Sequence, residues 1–463
     1  MRTLIEPPLS TWSIQGRAST DPDRAALGRL INQRARQWGA APLSRVDRII
    51  ATGHQAWLWH PGILAKDIAA RLAADALDAA PLHLVPDQDA HEALGLDLPQ
   101  QEGPRLRVRR VRLAEHQVGV PTGAQPPVDP AQVIRVLDEI RDDRLRPLRE
   151  AFESLPPCET LAQQVALVLV RLMRPWTGDL PLLFASDLPR LEPYQRLVEE
   201  MTAQAADCVR AYNRAVAQVP QAGVAMLTVE RERVELPLWA VAWRQPRQRV
   251  YADLADTEKP LLVDERGEPI NLQQVKLLPK ALLLTAIMRH LGCDLFIHGK
   301  GGGVYDRITD LWWRNWRNQE LTPIAVVSAD VHLSFDDAPI AQHADLAQAK
   351  WYRHHLPANI DRVLNLNDPL ARQKRRLLEQ MQQVRDPFHR WLIFREIHRI
   401  NAELAQMHPE ALAQADHQLQ QARIGLENAA VAARRDWSFI LYPPQTLQTL
   451  KDALARQAVT IRA

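Results

Sequence analysis

Residues 46–53, Val-Asp-Arg-Ile-Ile-Ala-Thr-Gly, form a short apolar run that stops at a glycine. A run of this kind suits a strand buried on both faces, and a terminal glycine lets the backbone turn sharply. Residues 62–78 then place apolar and alanine positions at helical spacing, and a second strand pattern, Leu82–Val85, follows. Strand, glycine turn, helix and strand make a βαβ unit, which directs the chain to an α/β architecture with parallel strands. A similar succession returns late in the chain: the apolar strand Leu295–His298, a glycine-rich loop, a helix over 304–318 and a strand over Ile324–Ser328.

The stretch between these units is mixed. Leu106–Leu113 alternates apolar residues with arginines as a strand does, and 118–130 is a proline-rich loop holding Pro121, Pro126, Pro127 and Pro130. Helical spacing covers 131–154, 160–174 and 190–217, with a strand at Leu182–Ala185. Segments 223–244 and 248–264 alternate like a hairpin or meander, a β-rich insertion over 223–264, and 271–291 reads as a helix. From 366 to 435 nearly every signal is helical, broken at Pro387 and Pro409. Leu377, Leu378, Met381 and Val384 fall at three- and four-residue steps, as do Leu392, Ile393, Ile397, Ile400 and Leu404. Polar residues fill the other faces, which favours an extended helical hairpin or coiled-coil arm. The expected organisation is a Rossmann-like, doubly wound α/β core over 1–365, a coiled-coil arm over 366–435, and a segment 436–463 that returns to the core.

Composition narrows the function classes. Fifty-seven Lys and Arg against 55 Asp and Glu leave a net charge of +2, so no global field draws in nucleic acid or an anionic membrane. Cys158, Cys208 and Cys293 are too far apart for a zinc ribbon or a disulfide framework and suit a reducing compartment. The longest apolar runs fall far short of the ~20 residues that span a bilayer, and the first residues lack a signal-peptide core. A cytoplasmic protein with neither nucleic-acid nor membrane partners is expected.

Three constellations carry the chemistry. The first is Thr52-Gly53-His54-Gln55, continuing through His60-Pro61-Gly62 to Lys66. It sits at a strand–helix junction, where open α/β sheets bind ligands and where free helix N–H groups attract anions. The second, Asp87, Asp89, His91 and Glu92, follows the second strand; it suits a general base or contacts to a substrate amine, or is a solvated polar loop. Spacing alone does not supply three convergent metal ligands, so no metal site is assigned. The third runs from His298 through Gly299, Lys300, Gly301, Gly302, Gly303 and Tyr305 to Asp306. Four glycines in five positions let backbone N–H groups approach a phosphate and Lys300 adds charge, although neither a Walker loop nor a dinucleotide fingerprint is present. Each constellation also has a plainer reading as a tight turn with capping side chains.

Taken in order, these segments resemble the bacillithiol biosynthesis cysteine-adding enzymes. Thr52-Gly53-His54-Gln55 resembles that family's Thr-Gly-Gln-Gln turn, Asp87–Glu92 its acidic motif after the second strand, and Gly299–Tyr305 its late glycine loop. The departures are His54 for the first Gln, the wording His60-Pro61-Gly62, and Gly where the late loop carries Glu. The resemblance implies a Rossmann-like core, a helical arm, dimerisation, nucleotide binding and the addition of cysteine to an amine-bearing sugar conjugate.

The combined reading is a ligase joining cysteine, or a related amino compound, to a small amine-bearing acceptor. His54, Asp87, Asp89 and His91 are the candidate catalytic residues. Gly53, Gln55, His60, Gly62, Lys66, Gly299, Lys300, Gly301, Gly302, Gly303, Tyr305 and Asp306 are the candidate substrate or nucleotide contacts. The cofactor stays open, with an adenine nucleotide as the candidate, and a homodimer through the arm is expected. The alternatives are a nucleotidyltransferase, on the partial match of His60-Pro61-Gly62 to a His-x-Gly-His motif, and a non-enzymatic dimeric scaffold.

Overall fold

The computed structural model describes residues 1–18, 20–255, 260–336 and 338–458. Parts of two expected segments, 256–259 and 459–463, lie outside the described residues. The chain divides into two compact units, one of Met1–Asp97, Arg110–Val331 and Arg435–Ala463, the other of Leu98–Arg109 and His332–Arg434.

The first unit is built on a six-stranded sheet. Its strands are β1 (Arg2–Glu6), β2 (Ile49–Gly53), β3 (Ala80–Val85), β4 (Leu182–Phe184), β5 (Leu295–His298) and β6 (Ile324–Asp330). They lie in the order β1-β6-β5-β2-β3-β4, with β1 antiparallel to β6 and every other pair parallel. Strands β3, β4 and β5 are buried from end to end, which explains their largely apolar sequences: helices cover both faces of such a sheet.

The chain runs outward through β2, β3 and β4, then returns to the other side of β2 for β5 and β6. The order reverses between β2 and β5, and a cleft opens there at the carboxyl ends of the strands. Ala51 pairs with Phe296 and Thr52 with Ile297 across this junction, so Gly53 and His298 end their strands side by side.

Each of these two strands feeds a helix. The first helix, α1 (Pro61–Ala76), starts with Pro61 at its first position, and His60 caps it by accepting the Gly62 N–H at 3.0 Å. The second, α2 (Lys300–Arg317), starts at Lys300 rather than at 304. The expected glycine loop is therefore the helix's first turn, with Gly299 as its cap. Close packing explains the glycines: a Cβ at Gly303 would stand 2.4 Å from Val326, and one at Gly302 2.4 Å from the His298 ring. The Trp-rich face of α2 is core, with Trp312 and Trp313 fully buried.

A second, antiparallel sheet in this unit takes the order Lys276–Pro279, Arg233–Val241, Gln248–Asp253, Leu261–Val263. The expected helix over 271–291 is corrected here. Lys276–Pro279 pairs with 238–241, and helix forms only over Ala281–Ile287, followed by a π turn at Met288–Gly292. Proline at 279 cannot donate to a helical ladder, and the neighbouring leucines pair better on a half-buried strand.

The second unit is helical apart from the hairpin residues 98–109. Its long helices are His343–His355, Pro369–Gln383, Pro387–Met407 and Pro409–Ala432. Leu356, Ile360, Ile400, Leu404, Ala411 and Ala415 form its core, so 332–365 joins the helical unit rather than the α/β core to which the sequence reading gave it. Lys374 and Asp361 make a buried ion pair there, and Lys374 also donates to the Ala358 carbonyl at 2.7 Å. Buried Asn428 accepts the Leu106 N–H at 2.7 Å and donates to the Pro104 and Pro339 carbonyls, tying hairpin to helix. Of the expected apolar stripe on Pro387–Met407, Ile397, Ile400 and Leu404 are buried while Leu392 is exposed.

No helix among the described residues is long and apolar enough to cross a membrane.

Candidate functional site

A cavity of about 560 Å³ opens at the β2/β5 junction. Its walls come from the ends of both strands and the first turns of both helices. Gly53, His54, Gln55, His60, Gly62 and Lys66 line one side; His298, Gly299, Lys300, Gly301, Gly302 and Tyr305 line the other. Asp89 and Gln88 close one end, Ser328 and Arg435 contribute from elsewhere, and Leu84, Leu284 and Phe296 give the cavity apolar wall. Twelve of the sixteen residues singled out from sequence thus share one cavity.

Lys66 is the group whose placement is hardest to explain by packing alone. It is 4% exposed and donates to the Gly53 carbonyl at 2.6 Å. Burial depresses its pKa to about 8, with Asp67 opposing the shift. A cation held this way costs desolvation energy that a single backbone acceptor does not recover.

The two histidines on this side are neutral. His54 Nδ1 stands 3.1 Å from the Trp57 indole N–H, a donor, and 3.3 Å from the Gln55 carbonyl, an acceptor, so either tautomer finds a partner there. Burial, followed by the Lys66 charge, holds the His54 pKa well below the ordinary histidine value. His60 accepts the Gly62 N–H at Nδ1, which puts its proton on Nε2, and burial and Arg435 lower its pKa too. Both present polar N–H groups rather than cationic ones.

Asp89 is the one carboxylate in the wall, and it is engaged. Its oxygens accept from Gln55 Nε2 at 2.8 Å and from Arg247 at 2.6 Å. Burial pushes the Tyr305 phenol up to about 12, so it is a neutral donor at physiological pH. Lys300 is half exposed and 3.4 Å from Asp330, which Arg435 also contacts. Lys66, Lys300 and Arg435 and the N-terminus of α2 bring positive charge to the cavity, with Asp89 tied up in the wall and Asp330 pairing with both Lys300 and Arg435.

Four candidates fall outside the wall. Asp87 stands beyond the end of β3 but turns into the interior, accepting the Ser186 N–H at 2.9 Å. His91 reaches the Ala56 carbonyl through Nε2 at 3.1 Å, and burial lowers its pKa. Gly303 faces Val326 instead of the cavity. Asp306 is fully buried behind His298, paired to Arg289.

Ser328 and Arg435 were not among the candidates, and His298, which opens the third constellation, was given no role. His298 carries the same signal as His54, a histidine at the end of a buried strand, and is findable on that ground. Arg435 arrives after the whole helical unit, and no local pattern marks it.

Asp87 has a consequence of its own. Burial raises its pKa to about 6, ahead of the opposing Ser186 bonds. An unfolded Asp ionises near 4, so between about pH 4 and 6 the folded chain keeps a proton that the unfolded chain has lost. Its contribution to stability therefore falls as pH rises through that window, and the penalty is complete above about 6. Asp87→Asn is expected to flatten this part of the stability curve and to add about 1–3 kcal/mol at pH 7. Urea melts from pH 4 to 8 check it; an unchanged slope refutes the assignment.

Among the described residues no group of three or more His, Cys, Asp or Glu is placed to hold a metal ion. No protein-family model matches the chain, and no curated protein matches it.

Proposed function

We propose that the cavity binds a small phosphate- or carboxylate-bearing molecule, with an adenine nucleotide as the candidate. In this reading the chain is a ligase of the cysteine-adding kind, joining cysteine or a related amino compound to a small amine-bearing acceptor. The convergence of the α2 N-terminus and the buried Lys66 on one cavity at the sheet's reversal point carries the reading. An anion there would meet the first-turn N–H groups of α2 and a lysine already stripped of water, so the cost of desolvating the cation is met before binding; α1 contributes no free donor, because Pro61 has no N–H and His60 takes those of Gly62 and Ile63. The strand order supports reading the core as Rossmann-like and doubly wound. The long helices of the second unit are read as a coiled-coil arm that forms a homodimer. Three unpaired thiols fit a reducing, cytoplasmic setting.

The motifs that resemble the bacillithiol enzymes supply two walls of this cavity, which favours a ligand arrangement of that type. Nucleotidyl transfer is less favoured, because His60 spends Nδ1 on capping its own helix.

Thermal melts with pyrophosphate, ADP and L-cysteine test the reading. A ligand of the native state at a hundred times its Kd adds about 2.7 kcal/mol. Pyrophosphate or ADP is expected to raise Tm, and L-cysteine to raise it further when added with either. A chain stabilised by none of the three is a scaffold, and the ligase reading fails.

A further inference from the structure

We infer that His298 is the hydrogen-bond and proton acceptor for the bound ligand, held in one tautomer by Asp306 and Arg289 and left open by the missing side chain at Gly302. The inference rests on the cavity being the ligand site proposed above.

His298 ends β5, is 5% exposed and lines the cavity. Its Nε2 lies 3.2 Å from Asp306 Oδ2, and the same oxygen receives Arg289 Nη1–H at 2.9 Å. Arg289 is itself anchored, with Nε donating to the Thr322 carbonyl at 2.6 Å and Nη2 2.7 Å from Asp310. Burial works against ionising Asp306, but the His298 and Arg289 contacts outweigh it and hold the carboxyl below its usual pKa. An ionised carboxylate only accepts, so Nε2 carries its proton toward Asp306, and the neutral ring then has its lone pair on Nδ1.

That lone pair stays uncovered because of residue 302. A Cβ built there would stand 2.4 Å from Nδ1, so any side chain would sit on it. Phe296 at 4.7 Å and Tyr305 at 5.7 Å between ring centroids fix the imidazole plane. Nδ1 therefore opens beside the first turn of α2, where the unpaired N–H groups receive the anion.

An acceptor next to an anion site selects a ligand carrying an amine or hydroxyl close to its phosphate or carboxylate. A proton leaving that amine or hydroxyl passes to Nδ1, and the resulting imidazolium keeps Nε2–H on Asp306. The sequence reading gave this task to Asp87, Asp89 and His91. Two of these lie outside the cavity wall and the third is already paired, so His298 takes the role. Asp306 and Arg289 are positioning residues that act through it.

Two-bond ¹H–¹⁵N correlation spectra of the full chain with ¹⁵N-labelled histidine read the tautomer directly, with His298→Gln identifying the signal. The wild type is expected to show the Nε2–H form. Asp306→Asn, whose amide can donate to Nε2, is expected to invert the pattern to Nδ1–H, a change that a purely packing role would not produce. Pyrophosphate is expected to shift the Nδ1 resonance. A wild-type Nδ1–H form, rapid exchange between forms, or pyrophosphate that raises Tm without moving the resonance overturns the inference. Absence of any Tm shift with pyrophosphate strikes the ligand-site reading instead. Should Asp306→Asn fail to fold, the wild-type spectrum still decides the tautomer.

Discussion

Lys66→Met is expected to weaken pyrophosphate binding by roughly ten- to a hundredfold while leaving the fold as stable as the wild type or more so. The loss follows from removing one charge-assisted contact in a partly dry cavity, worth about 1.5–3 kcal/mol. The gain in stability comes from the same burial. Lowering a lysine pKa from about 10.5 to about 8 corresponds to roughly 3 kcal/mol against the charged form. Methionine fills the space without that penalty, although the Gly53 carbonyl loses its donor, at about 1–3 kcal/mol. A residue kept for packing would not show binding and stability moving apart in this way.

The pH dependence has a definite sign. Below pH 8 Lys66 is protonated in both states and the penalty is complete. Between about 8 and 10.5 the unfolded chain holds a proton that the folded chain has released, so stability rises with pH through that window. The wild type is expected to gain on Lys66→Met there, and its affinity for pyrophosphate is expected to fall as the lysine neutralises. Denaturant melts and calorimetric titrations at pH 7, 8.5 and 9.5 read both trends. Equal pyrophosphate affinity in the two proteins at pH 7 would remove Lys66 from the site.

The parallel sheet was legible because strands buried on both faces must be apolar throughout, as Ile49–Ala51 and Leu295–Ile297 are. The site was legible where ligand chemistry and backbone geometry leave the same trace: Gly53, His54 and Gln55 at one strand end, Gly299–Gly302 at the other. Other features left no local trace. The helical first turn at Lys300 looked like a loop because glycines that permit close packing and glycines that permit disorder read alike. Asp87 and Asp89 differ by two positions, yet one is bonded to Ser186 in the interior and the other to Gln55 in the cavity, a distinction set by tertiary contacts. Residues 332–365 join the helical unit through Leu356 and Ile360, which periodicity alone cannot assign to one core over another.

If two copies pair through the helical unit as proposed, replacing Phe388 and Trp391 together by serine is expected to separate them. Both lie at the start of helix Pro387–Met407, where Phe388 is 63% exposed, Trp391 48%, Leu392 43% and Phe394 51%. Positions 388, 391, 392 and 395 fall on one helical face. The Phe388 and Trp391 rings stack at 6.1 Å, and the Arg395 guanidinium lies 4.8 Å from the Trp391 centroid. The buried stripe of the same helix, Ile397, Ile400 and Leu404, begins only further along, so this aromatic face is not used by the unit's own core. Exposed aromatic clusters with arginine have the composition of interface hot spots, where a single truncation costs at least about 2 kcal/mol. Even one such loss on each protomer of a two-fold contact, about 4 kcal/mol in all, would raise the dimer Kd by roughly a thousandfold. Folding should be barely altered, because the exposed rings contribute little to the protomer core. Sedimentation velocity at micromolar concentration, with circular dichroism for the fold, provides the measurement. A wild type that sediments as a monomer, or a variant that remains a dimer, would show that this aromatic face does not hold two copies together.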